Sequence, residues 1–256
     1  MKHLHGTDQR TMAYINLYGV LGTLEQLCLL DKEASGLIAD KQIRLGFRIT
    51  NGPCATLVFD HGICRLEDGD AHCDIRLPFA SAEKFNGMID GTVKPIPSKG
   101  FTKIGFLTHE FVALTNILTK YMRASEEDLR DPVFFRKSTT LMFYTIVAAI
   151  AQIGNRDRIG RTSASYIADG TICIRIQDGP AAAVCCKDHR LTALRQAPSD
   201  PMAIMEFGSM EIARGLFDGS VSALASIGVG NVRLSGLISM LDNVNRILDR
   251  VALYLA

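Results

Sequence analysis

The chain has 256 residues, 47% of them hydrophobic and 21% charged, with a formal net charge of +1. That length suffices for one large domain or two ordinary ones, each with a buried core. Lys and Arg are scattered rather than gathered in runs, which argues against a nucleic-acid or anionic-membrane binder. The seven cysteines are an odd number without a Cys-x-x-Cys pair, and the adjacent Cys185 and Cys186 cannot form an ordinary disulfide without strain. Reduced thiols and a cytoplasmic location are expected.

Taken in chain order, residues 12–30 are apolar with a helical period, interrupted by Glu25 and Gln26. Residues 41–50, 55–59, 63–67 and 73–79 alternate as strands, separated by the turn formers Asn51-Gly52-Pro53, Asp60-His61-Gly62 and Asp68-Gly69-Asp70. A short helix over 82–90 follows. Beyond a Pro-containing loop, residues 101–107 read as a further strand and 108–122 as an amphipathic helix with Phe111, Leu114, Leu118 and Tyr121 on one stripe. The polar segment 123–138, with Pro132 near its middle, reads as a joint, which gives units over 1–125 and 126–256.

Residues 140–153 are a second apolar helix, short of the ~20 residues that cross a bilayer, so no integral membrane span is expected. In the second half Ile172, Ile174 and Ile176 alternate, as do Ala203, Met205 and Phe207. A closing helix over 237–255 carries Leu237, Met240, Leu241, Val244, Leu248 and Val251 on its stripe. The amino terminus lacks a charged lead with a small-residue cleavage site, and the final Tyr-Leu-Ala is not a peroxisomal address.

The two halves repeat one another. Phe79, Ser81, Glu83, Gly87, Asp90 and Gly91 recur 128 positions later as Phe207, Ser209, Glu211, Gly215, Asp218 and Gly219. Gly52-Pro53 answers Gly179-Pro180, Asp60-His61 answers Asp188-His189, and Met12-x-Tyr14 answers Met142-x-Tyr144. The repeated motif has a mechanical reading: Ser81 and Ser209 cap a helix, Glu83 and Glu211 complement its dipole, and Gly91 and Gly219 end it. Gly87 and Gly215 mark a close approach. As an acid/base pair, Glu83 and Asp90 stand too far apart, roughly 10 Å of helical rise.

His61, Cys64, His72 and Cys73 have the residue types of a zinc site. Cys64 and Cys73 fit apolar strand positions, and His72 and Cys73 point to opposite faces, so no metal is expected. Asp60-His61 and Asp188-His189 read as turns rather than as an acid-base dyad, since no nucleophile shares their place. Gly228-Val229-Gly230 lacks the residues of a phosphate loop and leads into a strand. What remains is apolar excess. Phe85, Met88, Ile89, Phe106, Phe111 and Leu114 in the first half, and Met205, Leu216, Phe217 and Met240 in the second, are the candidate lining of apolar pockets.

Phe79-Ala80-Ser81-Ala82-Glu83 with Gly91, and Phe207-Gly208-Ser209-Met210-Glu211 with Gly219, together with the strand from Gly230 to Gly236, resemble the sterol carrier protein type 2 domain. The resemblance implies an α/β (α+β) fold of two tandem units, each a mixed, mostly antiparallel five-stranded sheet covered by helices. It also implies a tunnel holding a fatty acid, acyl-CoA, sterol or other lipid without covalent chemistry or cofactor. The first half departs from the pattern at 102–108, where neither flanking glycine is kept. The expectation is non-catalytic binding of a hydrophobic small molecule or lipid, by a monomer or homodimer. The alternative is an interaction module with filled cores and no ligand.

Overall fold

The computed structural model describes residues 7–221 and 223–255. Residues 1–6 and Ala256, on which the readings of the two ends rest, lie outside the described residues. The chain divides into two compact units, one over Asp8–Phe134 and one from Phe135 onward. Both are α/β units built on a mixed sheet.

In the first unit Asp8 caps α1 (Gln9–Tyr14), which continues through a π turn and a 3-10 turn into α2 (Leu24–Leu30). Asp31 caps α3 (Lys32–Leu37), accepting from the amides of Glu33 and Ala34 at 3.0 Å. The strands β1 (Gln42–Ile49), β2 (Cys54–Asp60), β3 (Ile63–Asp68) and β4 (Ile75–Phe79) form a sheet of order β3-β2-β1-β4, with β1 and β4 parallel. Next come α4 (Ala82–Ile89), α5 (Ile104–Phe106), a π turn over Leu107–Phe111 and α6 (Val112–Met122). The expected stripe Phe111, Leu114, Leu118 and Tyr121 is buried.

The strand expected over 101–107 is helical instead, and this sheet has four strands rather than five. Pro78 supplies the reason. On the outer edge of β4, the Arg76 amide donates to the Lys99 carbonyl at 3.2 Å and the Arg76 carbonyl accepts from the Ser98 amide at 2.8 Å. Two residues on, Pro78 faces the same way and has no N–H to continue the ladder. The incoming chain therefore makes one bridge and turns away into a helix, which leaves β4 as a Pro-blunted edge.

The second unit opens on α7 (Pro132–Arg156), which extends into the segment expected to be a joint. It continues through α8 (Arg158–Ala164), β5 (Gly170–Ile176), β6 (Ala181–Lys187), β7 (Arg190–Leu194) and β8 (Ala203–Phe207). Then follow α9 (Met210–Phe217), α10 (Ala223–Gly228), β9 (Val232–Gly236) and α11 (Ile238–Leu255). The sheet order is β7-β6-β5-β8-β9. Where the first unit has Pro78, the second has Glu206, which pairs with Arg233 of the fifth strand. By length and composition α7 is long and apolar enough to cross a membrane, yet 56% of its most apolar stretch is buried in the protein, the pattern of a core helix.

The repeated motif does the same work in both units. Ser81 accepts from the Lys84 amide and Ser209 from the Ile212 amide, while Gly91 and Gly219 take φ of +73° and +72°. A side chain at Gly87 would run into Val93, and one at Gly215 into Val221. The hydrogen bond from Ser81 is the main influence holding the Glu83 carboxyl below its usual range, and Ser209 does the same for Glu211.

The Asp-His pairs, in contrast, are out of register. β2–β3 turns with positive φ at His61 and Gly62, and β6–β7 turns with positive φ at Asp188 and His189. Asp60 pairs with Ile63, and its place in the second unit belongs to Lys187, which pairs with Arg190. The two Asp-His dipeptides therefore occupy different steps of their hairpins and share no common geometry.

Candidate apolar site

The sheet register permits a position-by-position comparison of the two cores. Phe47 lies opposite Ala55 and Ile174 opposite Ala182, at equal steps of their hairpins. By the same register Phe59 corresponds to Cys186. Four residues beyond the caps Ser81 and Ser209, Phe85 corresponds to Ala213. Three buried phenylalanines of the first unit are thus an isoleucine, a cysteine and an alanine in the second.

Those rings fill the first core. Phe59 packs on Phe106 at 5.0 Å between centroids, Phe79 on Phe85 at 5.2 Å, and Phe47 on both Phe85 and Phe111 at 6.1 Å. Edge-to-face and tilted pairs at these separations are favourable contacts. Of the first-half pocket candidates, Phe85, Phe106, Phe111 and Leu114 are buried, and Met88 and Ile89 are half-buried on α4. One concavity on this unit is a polar surface groove of about 440 Å³ with Phe106 among its walls. Its charges are matched: Lys41 meets Glu110 at 3.0 Å, and Lys103 meets Asp74 at 2.8 Å.

The second unit holds an apolar crevice, and of the three smaller side chains Ile174 borders it. Its walls are Phe143, Ile146, Val147 and Ile150 of α7, Ile174 of β5, Met205 and Phe207 of β8, Phe217 of α9 and Leu248 of α11. Ile174 and Met205 are register partners across the parallel pair, and Phe217 closes edge-on over Phe207 at 5.7 Å. The free volume is about 10 Å³, room for about one water-sized sphere. Among the second-half candidates, Met205 and Phe217 line this crevice. Leu216 is half-buried and Met240 buried, and neither is part of its wall.

Hydrogen bonds hold α7 near both ends, leaving apolar contact between. Near its start Ser138 accepts from the buried Arg214 guanidinium at 2.7 Å, and Arg214 also pairs with Asp218 at 2.6 Å. Near its end the Asn155 amide bonds both backbone groups of Leu191 on the edge strand, at 2.7 and 2.9 Å. In the first unit Asn86 reaches Asn16 at 3.0 Å, and Glu25 accepts from the Leu66 amide at 2.5 Å.

The closing helix of each unit is locked by a tyrosine on a helix-capping aspartate. Tyr121 donates to Asp31 at 2.7 Å, and Tyr254 donates to Asp157 at 2.8 Å. The second lock also carries an arginine, Arg250, whose guanidinium meets Asp157 at 2.7 and 2.8 Å. Burial pushes the Asp157 carboxyl up, but the bonds from Arg250, the Gly160 amide and Tyr254 outweigh it and hold the group below its ordinary range. Burial, followed by the bond to Asp31, pushes the Tyr121 hydroxyl well above its ordinary value.

Cys64 and Cys73 are buried in strand and core positions while His61 and His72 are exposed. Among the described residues no group of three or more His, Cys, Asp or Glu side chains could hold a metal ion. All seven cysteines are free thiols.

No protein-family model matches the chain, and no curated protein matches it. Among solved structures it is similar to the sterol carrier protein domain 2 of Helicoverpa armigera, at 10% identity and a TM-score of 0.36, over 43% of this chain and 88% of that one. It is similar to the ubiquinone synthesis protein UbiJ-SCP2 at 16% identity and a TM-score of 0.33, over 42% and 95% of the two chains. The apo form of sterol carrier protein 2 from Yarrowia lipolytica gives 14% identity and a TM-score of 0.30, over 39% and 91%.

Proposed function

We propose that the chain binds a lipid or similar apolar small molecule non-covalently, in the crevice of its second unit, and that the first unit is a filled structural half. The observation that carries this reading is the apolar crevice itself, with Ile174 in its wall where the first unit has Phe47, in a core that also has Cys186 and Ala213 in place of Phe59 and Phe85. At rest the crevice is far below the ~300 Å³ of an ordinary ligand pocket. Uptake therefore requires its walls to part, and Met205 and Phe217 are suited to that: one is unbranched and adaptable, the other sits half-buried at the margin. Each apolar Å² that a ligand then buries contributes ~25 cal/mol.

The candidate ligands are a fatty acid, an acyl-CoA or a sterol-like molecule; the last is what the similar sterol carrier proteins are named for. The free thiols suit a reducing, cytoplasmic setting. A role as interaction module is the second reading, and it is favoured for the first unit by its phenylalanine-filled core. The test is titration of the full chain with an environment-sensitive fluorescent fatty acid. Saturable enhancement that Met205→Asp abolishes in a folded protein is expected; a folded Met205→Asp variant that takes up the probe like the parent contradicts the assignment.

A further inference from the structure

Thr139 is fully buried on α7, and its hydroxyl makes no hydrogen bond among the described residues. A threonine in a helix ordinarily satisfies its hydroxyl on the carbonyl four residues back, as Thr145 does on Leu141 at 3.0 Å. Thr139 stands one helical turn before Phe143, on the stripe that continues through Ile146, Val147 and Ile150. At 100° per residue it falls within the arc those four wall residues span. Side chains on a helix also lean toward its amino terminus. Thr139 is not itself one of the crevice walls; it stands one turn before them on the same side of α7, next to Ser138, through which Arg214 ties α7 to α9.

We propose that Thr139 is the polar anchor of the crevice and that its ligand is an amphiphile with an uncharged hydroxyl or carbonyl head. This rests on the reading of the crevice as the binding site. A buried hydroxyl left unpaired costs free energy that a ligand's polar atom recovers. The adjacent charges favour a neutral head. The Arg214 charge is already paired with Asp218 and its guanidinium bonded to Ser138, so an ionised carboxylate would have to compete with Asp218 for it. A single alcohol or carbonyl needs only what Thr139 offers, one donor and one acceptor.

The test uses the full chain with a bound pyrene-labelled alkyl probe, displaced in turn by 1-hexadecanol, palmitate at pH 8 and hexadecane. The parent should prefer the alcohol over both others by about tenfold. Thr139→Val should erase the preference over hexadecane while leaving hexadecane itself unchanged, and Thr139→Ser should keep it. Thr139→Val removes an unpaired hydroxyl without changing shape, so its melting temperature should equal or exceed that of the parent. A Thr139→Val variant that still prefers the alcohol, or a parent that prefers palmitate, overturns the anchor while the crevice reading stands. If neither the probe nor any competitor binds the parent, the crevice reading fails and the anchor with it.

Discussion

The two units solve one folding problem with opposite cores. In the first, Phe47, Phe59, Phe79, Phe85, Phe106 and Phe111 meet over a four-stranded sheet. In the second, a five-stranded sheet carries Ile174 and Cys186 and α9 carries Ala213 at three of those places, and an apolar crevice lies against α7. The two differences arise separately. Pro78 blunts the edge where a fifth strand would add, whereas the loss of three phenylalanine rings thins the packing of the second core. On the proposed reading, a shared backbone plan holds a ligand in one copy and only its own side chains in the other.

The largest effect that tests this comparison comes from removing a filler. Phe85→Ala should cost about 3–5 kcal/mol of stability in chemical denaturation, because its ring is completely buried against two others. It should leave uptake of the fluorescent fatty acid by the second unit intact; loss of uptake in the folded variant would place binding in the first. The reciprocal change, Ala213→Phe, puts the first unit's filler between Ile174 and Phe207. We expect about 1–3 kcal/mol of overpacking cost and no measurable uptake.

Smaller effects separate the two helix locks. The folded-state carboxyl of Asp157 is held below its ordinary value, so its contribution to stability is present above the unfolded-state range near pH ~4. It is lost as pH falls through the folded value. Asp157→Asn should flatten that acid dependence in thermal melts below about pH 4; an unchanged acid limb would show that the lock is not its source. The mildest change is to the caps. Ser81→Ala and Ser209→Ala should each cost about 1 kcal/mol, and by similar amounts, since their geometry is shared.

Much of this fold is legible in the sequence because its causes are local. Ser81, Gly87 and Gly91 act on residues within one or two turns, so their repetition at Ser209, Gly215 and Gly219 reports the same helix in both halves. The segment 101–107 misleads because its fate is set by Pro78, more than twenty residues away and on a different element. Its alternating apolar residues fit a strand that has no edge to join.

The site was harder to read. Met205 and Phe217 stand out by residue type, but Phe143, Ile146, Val147 and Ile150 do not, because α7 is buried on nearly all sides and shows no apolar face. The usable signal was the difference between the copies at equal register, Phe47 against Ile174 and Phe85 against Ala213. Those two exchanges fall at the offsets of the repeated motif and of Gly52-Pro53, whereas matching Phe59 to Cys186 required the strand pairing, which also separates the two Asp-His dipeptides that match in sequence.

The most direct test of the central claim is native mass spectrometry of the full chain equilibrated with excess 1-hexadecanol, run beside its Ala213→Phe and Phe85→Ala variants. The account predicts one bound molecule per chain in the parent and in Phe85→Ala, and none in Ala213→Phe. Two molecules per chain in the parent, or one retained by a folded Ala213→Phe, would contradict it.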